Sequence, residues 1–284
     1  MNAEKPFAGM NTRNEVTDEE MEWLLSEVME IYGYDFSDYS RASLKRRINR
    51  LFQNDRFSSF AEFNQHIKND RRYFARFVEE ITVNVTEMFR DPSFYLALRE
   101  KVLPVLSTHP LIRIWHAGCS TGEEVYSMAI LLQEAGLLHK SLLYATDINP
   151  GVLDTLRKGI FPLRAMKQYS ENYIVSGGKQ DFSQYYTAKY EWAKFNEVLA
   201  EKMIVSTHNL VSDRSFNAFQ LILCRNVLIY FDKQLQEKAF RLFDESLEQL
   251  GFLALGAREN LKFSSIAPRY LQLENKERIW RRKI

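Results

Sequence analysis

Apolar positions in the first third of the chain recur at helical spacing, whereas those of the remainder gather into short runs. In "TDEEMEWLLSEVMEIYG" Met21, Leu24, Leu25 and Val28 share one face, and Thr17 with Glu20 makes a capping box, which predicts a helix starting after Thr17. "SRASLKRRINRLFQN" aligns Leu44, Ile48 and Leu51 and carries Arg41, Lys45, Arg46, Arg47 and Arg50 mostly on its other faces. Two further helices, "SFAEFNQHIKN" and "DRRYFARFVEEITVN", complete a small all-α domain over 17–84, after a polar and flexible N-terminus at 1–16. Residues 85–110 form a linker and a helix.

From Leu111 onward β-rich runs alternate with amphipathic helices: "LIRIWHA", "LLYATDI", "MIVSTHN", "FQLILCR", "FLALGA" and "ERIWRRK", with helices at 123–135, 151–158 and 233–250, the last stopped by Gly251. Such alternation predicts an α/β fold, a doubly wound sheet built from βαβ units, over 111–284. The rhythm breaks at about 165–200. There "YIVSGGKQDFSQYYTAKYEWAKF" sets a Gly-Gly turn among alternating and aromatic residues, which predicts an inserted antiparallel β-subdomain.

Composition narrows the function. The chain has 284 residues, 45% hydrophobic, 26% charged and a net charge of +1, so it can bury a core but is no polyelectrolyte binder overall. No apolar run is long enough for a membrane span and "MNAEKPFAGMNTRNE" lacks a signal-peptide core, so a soluble cytoplasmic protein is expected. Two cysteines, Cys119 and Cys224, and five scattered histidines offer neither a disulfide framework nor a metal constellation.

The chemistry concentrates in "HAGCSTGEEVYSMAILL". A strand ending at Ala117, a turn from Gly118 to Gly122 and a helix opening at Glu123 make the ligand crevice of a doubly wound sheet. A nucleotide-triphosphate loop needs Gly-Lys-Ser/Thr where Gly-Glu-Glu stands, and a dinucleotide pyrophosphate at that helix start would meet Glu123 and Glu124. A ligand with positive charge and no phosphate fits: S-adenosylmethionine, whose sulfonium and ammonium suit an acidic turn. Asp147, ending "LLYATD", stands where an acid accepts hydrogen bonds from ribose hydroxyls. Taken singly, Glu123 or Glu124 is equally an ordinary first-turn charge.

Three stretches in register, "NVTEMFRDPSFY", "GCSTGEEVYSMAILL" and "LCRNVLIYFD", resemble the chemotaxis receptor glutamate O-methyltransferases of the CheR type, and the likeness runs from about Thr17 to the C-terminus. The resemblance implies an S-adenosylmethionine-dependent methyltransferase fold and transfer of a methyl group to receptor glutamates. It implies that Asn84, Thr86 and Arg90 line the cofactor and active-site pocket. It further implies cofactor contacts from the Gly118 turn, Glu124, Asp147, Asn209, Leu210, Arg225 and Asn226, and a Tyr230 that faces the transferred methyl. Arg90 and Tyr230 are then the candidates for orienting the acceptor carboxylate. That carboxylate, with an ordinary pKa of about 4.3, is already a nucleophile at neutral pH and needs no general base. Two positions depart from the family's pattern: Val125 replaces a common proline, and "GARENL" puts Ala257 and Arg258 before Glu259 in place of His-Ser.

The resemblance also implies that the N-terminal domain docks the acidic cytoplasmic helices of chemotaxis receptors, for which Arg41, Lys45, Arg46, Arg47 and Arg50 are suited. A solvated charged face is the plainer reading of those five residues, as a helix cap is for Asn84 and a packing role for Tyr230. A nucleic-acid amino-methyltransferase would carry Asn/Asp-Pro-Pro-aromatic after the fourth strand, and none of the seven prolines here adjoins another. A cofactor-binding sensor without transfer, or a methyltransferase for another protein, is the alternative. With no heptad repeat, a monomer is expected.

Overall fold

The first helix, α1 (Asp18–Tyr32), begins where the capping box predicts. Thr17 Oγ1 accepts from the Glu20 amide at 3.2 Å, Glu20 Oε2 accepts from the Thr17 amide at 2.8 Å, and Gly33 in the left-handed region (φ 74°) closes the helix. In the computed structural model the described residues are 15–34, 36, 39–81, 86–274 and 276–284, and the chain divides into two units, 1–83 and 84–284. Helices α2 (Arg41–Asn54), α3 (Phe60–Asn69) and α4 (Arg71–Ile81) complete the first unit. Met21, Leu24, Leu25 and Val28 of α1 meet Leu44, Ile48 and Leu51 of α2 in one core with Phe63, Ile67 and Phe77, and the Tyr32 ring stacks on Phe74 at 3.6 Å. Each such side chain contributes about 1.5–3 kcal/mol by leaving water. Val16, assigned from sequence to the flexible N-terminus, is itself buried, and its amide donates to Asn49 Oδ1 at 2.7 Å.

The second unit opens with α5 (Pro92–Ala97), a π-helical turn (Leu98–Val102) and α6 (Leu103–Leu106). Its seven-stranded sheet contains β1 (Ile112–Ala117), β2 (Ser141–Asp147), β6 (Met203–Thr207), β7 (Phe219–Cys224), β8 (Leu247–Leu255), β9 (Tyr270–Glu274) and β10 (Ile279–Arg282), in the order β6-β2-β1-β7-β8-β10-β9. The first five strands of that order pair in parallel, and β10 runs antiparallel to both β8 and β9. From β1 the chain winds outward through β2 to β6, then returns to β7 on the other side of β1. The strand order therefore reverses between β1 and β7, and a doubly wound sheet opens its ligand crevice at the carboxyl ends of such strands. Helices α7 (Glu123–Glu134), α8 (Pro150–Lys158) and α11 (Lys233–Ser246) connect the strands.

Three local readings change. The helix expected over 233–250 ends at Ser246, because Leu247 is already extended (φ −98°, ψ 131°) and β8 begins there; the pairing with β7 passes from Phe219↔Leu247 to Leu221↔Phe252, so residues 248–251 bulge out with Leu250 left-handed at φ 63°. Gly251 thus serves a bulge within a strand. The edge strand β9 escaped the sequence reading since "YLQLE" buries only Tyr270 fully and leaves Leu271 exposed. The Gly-Gly pair does not turn a hairpin: it terminates α9 (Met166–Val175), with Gly177 at φ 77° and a Cβ on Gly178 falling 2.3 Å from the Tyr173 ring. The hairpin turn lies at Tyr190 (φ 54°), between β4 (Tyr186–Lys189) and β5 (Trp192–Phe195), and β3 (Ile160–Pro162) completes a three-stranded antiparallel sheet. The short α10 (Glu197–Ala200) leads back into β6.

Candidate active site

The turn after β1 is shaped by backbone contacts. Gly118 and Cys119 both donate to Thr146 O, at 2.8 and 2.9 Å, which draws the turn onto the end of β2. Gly118 (φ 79°) and Gly122 (φ 101°) occupy left-handed backbone, and a Cβ would fall 2.5 Å from Val227 Cγ2 at the first and 2.5 Å from Leu156 Cγ at the second. Only glycine meets both demands.

Asp147 is held by the same turn: Oδ2 accepts from the Ser120 amide at 2.9 Å and Oδ1 from the Asn149 amide at 3.0 Å. Burial pushes its carboxyl above the usual range, against the pull of these amides. The Ile148 amide bonds this carboxylate as well, which with about four acceptor positions still has one left, and the buried Ser120 hydroxyl beside it meets no partner among the described residues. The His208 amide donates to Asp147 O at 3.1 Å, so Asn209 and buried Leu210 follow directly beside this acid. Asn209 Oδ1 caps its own loop by accepting from the Val211 amide at 2.9 Å.

The two glutamates part company. Glu123 turns inward, its carboxylate accepting from Thr121 Oγ1 at 2.6 Å and Tyr169 OH at 3.3 Å, and burial pushes its carboxyl up. Glu124 instead meets His116 Nδ1 at 2.8 Å and Arg225 Nη1 at 3.4 Å while its side chain stays 16% exposed. Burial alone would raise Glu124, but His116 and the Arg225 guanidinium outweigh it and hold the carboxyl below the usual range.

Arg225 ties three segments together. Its Nη2 donates to Asp91 Oδ2 at 2.7 Å and Arg90 O at 3.3 Å, and its guanidinium lies 4.0 Å from the Phe94 ring centroid. The loop that carries Arg90 is set by Phe89 (φ 53°), whose amide donates to Ser127 Oγ at 2.9 Å, and by Asn172 Nδ2, which donates to Met88 O at 3.0 Å. Arg90 and Thr86 are half-buried here; Asn84 lies outside the described residues. Asn226 (φ 62°) follows Arg225, and half-buried Tyr230 ends a single helical turn at Leu228–Tyr230, its amide bonded to Val227 O at 3.1 Å.

Asp91, His116 and Glu259 were not assigned from sequence, although each lies inside a stretch already singled out. Asp91 meets Arg225 and Glu259 meets Asn226 and Val227 from distant parts of the chain, and although His116 lies only eight residues before Glu124, that spacing by itself does not mark a contact. Cys119 and Cys224 are buried, and burial pushes both thiols well up, which suits packing and not nucleophilic attack. Among the described residues no His/Cys/Asp/Glu group could hold a metal ion, and no helix is long and apolar enough to cross a membrane.

In the first unit, four of the α2 cations line an open groove of about 780 Å³: Lys45, Arg46, Arg47 and Arg50. Arg41 pairs with Glu22 at 2.8 Å, Lys45 with Asp18 at 2.7 Å and Arg50 with Glu80 at 2.7 Å. Exposed pairs of this kind contribute at most about 1 kcal/mol, so they leave the cations open to exchange for a partner's carboxylates.

An acid open at a glycine turn, a buried acid with acceptor capacity to spare at the next strand and, between them, a hydroxyl with no partner among the described residues suit S-adenosylmethionine. Comparison with known proteins agrees. The model of the CheR methyltransferase SAM-binding domain matches residues 84–277, and that of the CheR all-alpha domain matches residues 19–82. Cher3 of Pseudomonas putida, a methyltransferase by its name, is 45% identical over 94% of this chain and 97% of its own. The chemotaxis protein methyltransferases of Listeria monocytogenes and Salmonella typhimurium are 33% and 34% identical, covering 81% and 76% of this chain and 85% and 74% of theirs. The chain belongs to the CheR methyltransferase family and is an S-adenosylmethionine-dependent methyltransferase of the chemotaxis type.

Proposed function

We propose that the protein methylates glutamate side chains in the cytoplasmic helices of chemotaxis receptors, acting as a monomer in the cytoplasm. The observation that carries this reading is the Glu124–Arg225–Asp91 bridge, because the same guanidinium that meets the turn's acid also bonds Arg90 O and so fastens the Arg90 loop to the ligand crevice. Bound S-adenosylmethionine supplies an electrophilic methyl group on a sulfonium, which leaves to a carboxylate oxygen to give a methyl ester and S-adenosylhomocysteine.

This chain's residues bind and align. Glu124 meets the α-ammonium of the ligand's amino-acid tail, Asp147 accepts hydrogen bonds from the ribose hydroxyls, and Asn84, Thr86, Gly118, Asn209, Leu210, Arg225 and Asn226 complete the pocket. Arg90 and Tyr230 orient the incoming carboxylate, which is ionised at neutral pH and gives up no proton. A carboxylate and a sulfonium lose their charges together, so excluding water favours the transition state over separated ions. An Arg90 grip stronger on the ground state than on the transition state would slow transfer, so its task is alignment. Arg41, Lys45, Arg46, Arg47 and Arg50 receive the acidic faces of receptor helices.

Incubation with methyl-labelled S-adenosylmethionine and receptor cytoplasmic fragments tests this. Label that alkali releases, present with the parent and lost with Arg90→Ala, is the expected result. A second reading, methylation of a different protein, draws on Ala257 and Arg258 standing where the family has His-Ser. Cofactor binding with no label on any receptor fragment would favour it.

A further inference from the structure

His116 is a buried polar side chain that packing does not require. It lies in β1 between β2 and β7, in register with Ala145 and Leu223, and is fully buried among Ile114, Trp115 and Ala117. An imidazole taken out of water there is unfavourable unless it is hydrogen-bonded, and a leucine would fill such a site without that penalty. Its one polar contact among the described residues is Nδ1 to Glu124 Oε1 at 2.8 Å; Nε2 meets no partner.

We propose that His116 is a positioning residue that aims Glu124 at the α-ammonium of the cofactor's amino-acid tail, and so sets how strongly the protein prefers ligands that carry this tail. The inference rests on the reading of Glu124 as the acid that meets the tail. Glu124 has two fastenings of different stiffness. Arg225, at 3.4 Å, stands beyond the end of β7 and divides its guanidinium between Glu124, Asp91 and Arg90 O. His116 stands inside the sheet, with strands paired on both sides, and commits a single donor to one oxygen. A proton on Nδ1 fixes Oε1 from behind and leaves the remaining lone pairs of the 16%-exposed carboxylate for the ligand. Without it Glu124 would have to be ordered by the ligand itself, at a cost in affinity. Partners that orient a ligating group commonly change affinity by 10-fold or more.

The test uses the full chain and two probes: S-adenosylhomocysteine, which carries the tail, and 5′-methylthioadenosine, which has the adenosine and sulfur but no amino acid. Titration calorimetry gives the preference for the first over the second in the parent, His116→Leu, His116→Asn, His116→Gln and Glu124→Gln. Asparagine places an amide N–H near the Nδ1 position, whereas glutamine reaches toward Nε2. The preference should fall about 10-fold in His116→Leu and His116→Gln and stay within about twofold of the parent in His116→Asn. If His116→Leu does not fold, the Asn and Gln pair carries the comparison. Equal weakening of both probes, an asparagine variant as impaired as the glutamine one, or an unchanged preference in His116→Gln beside a fall in Glu124→Gln would each overturn the role of His116. An unchanged preference in Glu124→Gln would instead remove the reading of Glu124 on which the role rests.

Discussion

Glu259 Oε2 accepts the backbone N–H of Asn226 at 3.0 Å, joining the end of β8 to the loop that follows β7. The same carboxylate takes the Gly256 amide at 2.6 Å, the Val227 amide at 2.9 Å and the Leu228 amide, so one buried side chain satisfies four donors and holds Asn226 in its left-handed conformation. A carboxamide has one acceptor oxygen and would turn its NH2 toward at least one of these N–H groups. Glu259→Gln is expected to lose about 1–3 kcal/mol in urea unfolding and to weaken cofactor binding, measured by calorimetry. Retention of both would show that the loop holds its shape without Glu259.

Gly118→Ala puts a methyl group 2.5 Å from Val227 Cγ2 and forces a residue with a side chain to φ 79°. Thermal unfolding should show a loss of about 1–3 kcal/mol, with cofactor affinity falling alongside. Adding Val227→Ala relieves the collision but not the backbone strain. Partial recovery in the double variant is therefore expected, and complete recovery would assign the whole effect to packing.

Asp147→Asn keeps the shape of the side chain and removes one acceptor oxygen where both Ser120 N and Asn149 N already donate. One amide then loses its partner and the pocket loses lone pairs for the ribose. Affinity for S-adenosylhomocysteine should fall about 10-fold or more, while a 2′,3′-dideoxy analogue should lose much less. Equal losses for both ligands would place Asp147 in turn structure alone.

Glu134 at the end of α7 collects Arg99, Tyr173, Tyr185 and the Lys179 amide, with its side chain only 2% exposed. Burial would raise its carboxyl, but these donors, Tyr173 foremost, hold it below the usual carboxylate range. A depressed carboxylate stabilises the fold above its unfolded pKa, and that contribution disappears as pH falls through the lower folded value. Glu134→Gln should therefore be less stable than the parent by about 3–5 kcal/mol at neutral pH, with the gap closing as pH falls below about 4.3. Denaturant melts of both proteins across pH 3–7 would measure the gap, and a gap independent of pH would exclude the charge as its source.

Much of this was legible locally. The capping box of Thr17 and Glu20 rests on interactions three residues apart, and the apolar face of α1 and the glycines before α7 announce themselves by periodicity and residue type, although their contacts come from distant segments. The acidic turn pointed to a cationic ligand for the same reason, since Glu123 and Glu124 sit on the helix start that a phosphate would need. The sequence could not tell by its spacing which of the two faces the crevice. That depends on Thr121 and Tyr169 receiving Glu123, and on His116 and Arg225 receiving Glu124, with Arg225 separated from it by 101 positions. Likewise, α11 passes into β8 at Leu247 because β7 offers it a parallel partner, and "YLQLE" becomes a strand because β10 has a free edge. Periodicity is local and declares itself in the chain; hydrogen-bond partners and strand neighbours are brought together only by folding.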